Sequence, residues 1–225
     1  MIKKQGFFTI MGGKVKMLHG QYNPTSDAVW VAAFTEGSPK TVLDVGTGTG
    51  AVALCLMARI PEINMTVIDI SPEMLSAAKQ NFELNDKKAN FINADILSWR
   101  TDKTFDLVIT NPPYFKGTPA AHNAHHNVEL DLWVHKCIAR VRPNGTFIII
   151  IDATEASTVI SEMTRHCGNI KILPLFSNKG IAERVLVSCQ KGRVAHTSFF
   201  SGLNMNCDKI LRDGKGIKDI ISMSR

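Results

Sequence analysis

A chain of 225 residues, 44% hydrophobic and 20% charged, has the size and balance of one large α/β domain with modest appendages, which excludes disordered and fibrous classes. Its longest purely apolar run, Ala51 to Ala58, falls far short of the roughly 20 residues a membrane span needs. Lys and Arg outnumber Asp and Glu by 26 to 20, a net charge of +6 that crowds the two ends and suits either an anionic partner such as nucleic acid or a solubilising surface.

The first segment, 1–40, reads as an N-terminal cover. Gly12-Gly13 offers a hairpin turn, and Thr25-Ser26-Asp27 offer caps for a helix through Phe34. The start, Met1-Ile2-Lys3-Lys4, lacks an apolar h-region and a small-residue cleavage site, so no signal peptide is read and a cytoplasmic location is expected. From Thr41 the chain alternates β-rich runs with helical patterns, as parallel βαβ units do. Seven strands are predicted: Thr41 to Val45, Met65 to Asp69, Asn90 to Asn93, Phe105 to Thr110, Thr146 to Ile151, Ile170 to Leu175 and Arg184 to Cys189.

Between them, Ala51 to Ile60 reads as a helix. Ser71 caps and Pro72 opens a second one, with Met74, Leu75, Ala78 and Phe82 on one face. A longer helix is predicted over Val128 to Val141, striped by Leu130, Trp133, Val134, Cys137, Ile138 and Val141 and stopped by Pro143-Asn144-Gly145. Together 41–192 make the core. The basic appendage, 193–225, has Phe199, Phe200 and Leu203 as early apolar anchors and is expected to form short strands or loose structure. The five cysteines are odd in number, scattered and never in a C-x-x-C pair, so they read as reduced thiols.

Asp44-Val45-Gly46-Thr47-Gly48-Thr49-Gly50 ends the first core strand and opens a helix, with glycines that let the backbone turn sharply and approach a ligand. Gly46-x-Gly48-x-x-Ala51 also satisfies the dinucleotide fingerprint. Charge separates the two ligands. A pyrophosphate wants helix amides and no nearby anion, whereas the methionine end of S-adenosylmethionine carries an ammonium and a sulfonium that Asp44 favours. Asp69 can accept from ribose hydroxyls with either ligand. Asp95 stands where an acceptor for the adenine amino group is useful, or as a loop cap, and Ile70 and Ile96 can sandwich the ring or serve as ordinary core residues.

The fourth core strand runs into Asn111-Pro112-Pro113-Tyr114, beside the glycine loop at the carboxyl edge of the sheet. An amino group on adenine or cytosine, or a glutamine amide, delocalises its lone pair and is a poor nucleophile. The Asn111 side-chain oxygen and the Pro112 carbonyl can each accept one N–H, orienting the nitrogen toward the methyl. Tyr114 can stack on the planar group, and a base in a stacked nucleic acid must first be flipped out.

These residues resemble class I methyltransferases of the N6-adenine and amide type, carried by Asp44 to Gly50 with Asn111 to Tyr114. The chain as a whole resembles the bacterial tRNA(Val) adenine-37 N6-methyltransferase family, through Tyr22-Asn23-Pro24-Thr25-Ser26-Asp27-Ala28, Ala94-Asp95-Ile96-Leu97-Ser98-Trp99 and Gly180 to Gln190. The resemblance implies an α/β, seven-strand Rossmann-like class I methyltransferase fold, mostly parallel with an antiparallel last strand. It also implies S-adenosylmethionine as donor, N6 of an adenine in a tRNA anticodon loop as target, and Asp27 lining the cofactor's methionine end. Asp27 also suits a helix N-cap.

The loop Phe115 to Asn127 departs from the pattern, holding His122, His125 and His126 with Lys116 its only formal cation where relatives often carry arginine. No metal is expected there, since no cysteine is near and Glu129 fits the exposed first turn of the next helix; a mobile polar lid is the expectation. A release-factor glutamine methyltransferase shares the tetrad and its chemistry, but such enzymes add a helical N-terminal domain and only about forty residues precede the first core strand here. A nucleotide-binding module without activity and an NAD-dependent enzyme are the remaining alternatives.

Overall fold

The computed structural model describes residues 6–20, 24–112, 123–177 and 180–222. Two short strands, β1 (Phe7–Ile10) and β2 (Val15–Leu18), pair antiparallel across the glycine turn, and α1 (Asp27–Phe34) follows. The core then runs β3 (Thr41–Val45), α2 (Ala51–Arg59), β4 (Asn64–Asp69), α3 (Pro72–Leu84), β5 (Asn90–Asn93), β6 (Phe105–Thr110), α4 (Asn123–Arg140), β7 (Val141–Asp152), α5 (Ala156–Thr164), β8 (Cys167–Phe176) and β9 (Ala182–Lys191). Two tail strands, β10 (Ser198–Phe199) and β11 (Leu203–Asn204), precede α6 (Asp208–Leu211) and α7 (Ile217–Ser222).

The seven core strands lie in the order β5-β4-β3-β6-β7-β9-β8, parallel except for β9, which runs antiparallel between β7 and β8. This is the expected mostly parallel sheet with an antiparallel last strand. The tail extends it, β10 and β11 adding parallel pairs on the outer edge of β8. Strand order reverses between β3 and β6, so their carboxyl ends open a crevice there.

Successive strand residues feed two cores, because side chains alternate across a sheet. Leu107, Ile109, Ile148 and Ile150 face α1 and α2, while Val108, Phe147, Ile149 and Ile151 face α4 and α5. Local features differ from the sequence reading. The fourth helix begins at Asn123, inside the stretch Phe115 to Asn127 expected as a loop. It ends at Arg140, and Val141 begins β7 opposite Phe105. Pro143-Asn144-Gly145 therefore lies in an irregularity before Thr146 rejoins β6, with Asn144 at φ 60°, instead of stopping a helix.

The expected N-terminal cover divides in two. All eight residues of α1 are buried, as a helix apolar on every side must be, with α2 and the sheet on one side and the tail helices on the other. Trp30 is fully buried and its indole donates to the Met205 carbonyl at 3.3 Å. The hairpin buries Met11, Val15 and Met17 in the core and docks its edge by amide side chains. Asn81 Oδ1 accepts from Leu18 N–H at 2.8 Å, and one turn on Asn85 accepts from Lys16 N–H at 2.8 Å and donates to its carbonyl at 2.7 Å. These bonds satisfy the outer edge of β2. Gly12 lies against the backbone of Arg212, where a Cβ would stand 2.0 Å from the carbonyl oxygen. No helix among the described residues is long and apolar enough to cross a membrane.

Arg59 joins the tail to the core, its guanidinium donating to the carbonyls of Ala32 and Gly214. Replacing it by leucine leaves two part-buried acceptors without their donor, a loss of about 1–3 kcal/mol. Urea denaturation of Arg59→Leu checks the magnitude. Amide exchange faster over Asp208–Ser222 than over the core strands checks the location.

Candidate active site

One tight loop between β3 and α2 shapes the crevice. Gly46, Gly48 and Gly50 take φ of 68°, 53° and 84°, the left-handed region that glycine enters without penalty. At Gly50 space is limiting too, since a Cβ would stand 2.9 Å from the Phe82 ring. Gly46 and Thr47 donate to the Ile68 carbonyl at 2.9 and 3.1 Å, and Gly48 N–H donates to Asp69 Oδ2 at 2.7 Å. Asp69 Oδ1 accepts from Ser71 N–H at 2.9 Å, so one carboxylate organises both the glycine loop and the start of α3. Asn81, the one polar residue on the buried stripe of α3, donates to the Thr49 carbonyl at 2.9 Å.

The result is a cavity of about 520 Å³ lined by Gly46, Gly48, Asp69, Ile70, Asp95, Ile96, Asn111 and Pro112, together with Thr25 and Trp133. Eight of the positions singled out from sequence thus meet in one space. Ile70 is 68% exposed, a large apolar side chain at the lip, and Ile96 is buried on the far side. Asp95 Oδ1 accepts from Leu97 N–H at 2.9 Å, so the residue caps its loop and also faces the cavity. Pro113 and Tyr114 lie outside the described residues, as do the loop histidines' side chains.

Three expected positions stand apart from the lining. Gly50 packs on Phe82. Asp27 is buried and pairs with Arg184 Nε at 3.4 Å, while Thr25 and Ala28 on either side of it line the cavity. Neither N-cap nor lining, Asp27 helps anchor α1 to β9. Asp44 lies beneath the loop, 1% exposed, accepting from Thr47 Oγ1 at 2.7 Å, while its Oδ1 makes no hydrogen bond among the described residues. Burial pushes its acid up to about 7, against the opposing pull of the Thr47 hydroxyl and the Ala53 amide.

Trp133 was legible only as one apolar position on a helical stripe. In the fold its ring packs on Gly46, 3.2 Å from where a Cβ would be, and its indole donates to Thr110 Oγ1 at 3.2 Å. A second cavity of about 500 Å³ opens at the opposite edge of the sheet, but its charges are paired, Lys171 with Glu36 at 2.8 Å, Arg142 with Asp106 at 2.5 Å and Lys40 with Glu62 at 3.5 Å. On the outer side of α4, His135, Glu162 and His166 approach within 4.8 Å, with Arg165 on the other Glu162 oxygen at 3.3 Å, an ionic contact between α4 and α5.

Comparison with known proteins gives this arrangement relatives. The model of the methyltransferase small domain matches residues 24–175. A release factor glutamine methyltransferase of Deinococcus radiodurans is 34% identical over 54% of this chain and 49% of its own. A tRNA1(Val) (adenine(37)-N6)-methyltransferase of Vibrio campbellii is 30% identical over 71% of each. The chain spans about half to three fifths of several curated relatives' length, at 49%, 58% and 59%.

Among solved structures, a predicted O-methyltransferase of Agrobacterium tumefaciens superposes with a TM-score of 0.70 at 21% identity, over 84% of this chain and 96% of that one. The N-methyltransferase NodS of Bradyrhizobium japonicum, solved with S-adenosyl-L-homocysteine, superposes at 0.56 and 17% identity, over 75% and 86%. These likenesses are of fold.

Asp44 supplies a test of the site's electrostatics. An acid whose folded pKa is raised from 3.8 to about 7 holds its proton when folded and loses it when unfolded, so its contribution to stability fades as pH climbs through that interval. Asp44→Asn keeps an acceptor for Thr47 and removes the ionisation. At pH 8 the ligand-free variant is therefore expected to be more stable than wild type, by up to about 4 kcal/mol, and near parity at pH 4. Equal urea midpoints at pH 8 would contradict a buried carboxylate.

Proposed function

Because the chain belongs to the methyltransferase small domain family and uses S-adenosylmethionine, we propose that it methylates the N6 amino group of an adenine in RNA, with tRNA as the substrate class. The observation that carries the chemistry is the meeting of Asn111 and Pro112 with the glycine loop in one cavity. The donor and acceptor set fits the cofactor. Asp44, outside the lining and buried beneath the glycine loop with one oxygen unbonded, sets a negative charge under the cationic methionine end. Among the lining residues Asp69 suits the ribose, Asp95 the adenine amino group, and Ile70 and Ile96 the two faces of the ring.

The bound cofactor supplies an electrophilic methyl on a positively charged sulfur. The protein's task is the nucleophile. Asn111 Oδ1 and the Pro112 carbonyl accept the two N–H bonds of the target amine, which turns its lone pair out of the ring's π-system and toward the methyl. Neither acceptor need be a strong base, because the proton becomes acidic as the new bond forms. Proline at 112 gives that carbonyl a fixed approach and no competing amide donor. Tyr114 stacks on the flipped base.

RNA is favoured over protein as substrate by the longer shared span with the tRNA enzyme and by a net charge of +6. The glutamine reading rests on the identity shared with the release-factor enzyme, and the same two acceptors suit an amide.

Labelled methyl is expected to enter RNA and to be recovered as N6-methyladenosine after nuclease digestion. Asn111→Ala lowers kcat by about 100- to 1000-fold while S-adenosylmethionine binding stays within a few-fold. Release factors assayed in parallel decide the second reading, since label found only in protein overturns the first. The raised acid of Asp44 adds a pH test: a cationic ligand favours its ionised form, so cofactor affinity rises from pH 5.5 to 7.5 with release of a proton. Titration calorimetry in buffers of different ionisation enthalpy detects it.

A further inference from the structure

Next to the cofactor cavity is another depression. It is a cleft of about 450 Å³ between Thr9 and Gly12 of the hairpin, Ser26 at the head of α1, and Leu211 and Arg212 of the tail. Pro24 and Thr25 line both spaces. The two cavities therefore meet across one short segment, with Asn111 on one side and the hairpin on the other.

The hairpin's register sorts its residues. Phe8 opposite Met17 and Ile10 opposite Val15 turn inward to the core, so Phe7, Thr9 and Lys16 face outward. Phe7 is 50% exposed, and Lys16 Nζ stands 6.0 Å above its ring. Thr9 continues that face into the cleft. Arg212 lines it, with its Nε 3.1 Å from Asp208 Oδ1. Lys14, which donates to the Asp213 carbonyl, and Lys209 and Lys215 are further exposed cations of the hairpin turn and the tail. An aromatic face beside exposed cationic groups offers a base a stacking surface and its phosphate a counter-charge.

Resting on the adenine reading above, we propose that the outward face of the hairpin and the cleft against the tail bind the single-stranded RNA flanking the target adenine. A flipped base held at Asn111 stays joined to its neighbours, and their strand has to leave the mouth of the cavity. Across Pro24 and Thr25 it meets the cleft, then Arg212, Thr9, Lys16 and Phe7. Elements from both ends of the chain build this surface, with the tail backbone packed on the turn at Gly12.

The test is steady-state methylation of tRNA by the full chain and by Phe7→Ala, Lys16→Glu, Arg212→Glu and Lys103→Glu. Lys103 is exposed just before β6, at the opposite edge of the sheet. The first three variants are expected to raise KM for RNA about 5- to 20-fold, with kcat within about twofold and both cofactor affinity and melting temperature unchanged. Lys16→Glu and Arg212→Glu should each also flatten the log–log salt dependence of RNA binding by about 0.7–0.9 for a lost phosphate contact. Lys103→Glu should match wild type. If wild type methylates RNA and the three variants behave as Lys103→Glu does, the surface is wrong and the adenine reading stands. If wild type transfers methyl only to protein, both fall.

Discussion

The Thr110 hydroxyl donates to the Val45 carbonyl at 2.8 Å and accepts the Trp133 indole N–H at 3.2 Å, with no exposed surface of its own. That pair of bonds sits where two parallel strands end side by side. Backbone pairing in the sheet stops at this level, and the chains beyond it would otherwise diverge into separate loops. One buried hydroxyl holds the end of β3 against the end of β6, so that Gly46 and Asn111 leave the sheet as neighbours. The same hydroxyl fixes Trp133, whose ring then walls the space between them. A buried hydroxyl used both as donor and as acceptor leaves no polar group unsatisfied, and this makes the junction rigid.

Around that junction the charges are sorted by sign. Asp44, Asp69 and Asp95 gather at the carboxyl ends of β3, β4 and β5, while the chain as a whole carries a net +6. A site with acids in its depth and cations outside it suits a positively charged donor and a negatively charged acceptor at once. The cost falls on Asp44, whose burial is only partly offset by the Thr47 hydroxyl. Functional sites commonly hold such strained groups, because the ligand supplies the missing partner.

The two ends of the chain are more than decoration on a methyltransferase core. The hairpin lacks enough surface to stand alone, as an isolated two-stranded unit does in water. It is held by Asn81 of α3 and by Asn85, which caps that helix, and Asn81 also grips the glycine loop through the Thr49 carbonyl. The outer appendage and the ligand loop thus share one amide side chain. The tail reaches the same region from the other side, through Arg59 and through Gly12.

The sequence by itself determined the βαβ order, the glycine loop and the Asn111-Pro112 turn. Each is a local property, set by the period of side-chain burial, by glycine's access to positive φ and by proline's fixed φ. It also made Asp69, Asp95 and Ile96 legible, since they follow strand ends and the carboxyl edge of a parallel sheet is where its loops converge. What it left open depends on partners distant in the chain. Asp27 looked like a cap or a cofactor contact; Ser26 takes the N-cap position, and Arg184, 157 residues away, pairs with Asp27. Helix α1 looked like a cover, and the tail that buries it follows only after the whole sheet. Trp133 read as one member of a helical stripe and Asn81 was not on the stripe predicted for its helix, because periodicity reports which face is buried and is silent on what that face touches. Only the assembled sheet, bringing β3, β6 and both terminal segments together, decided those contacts.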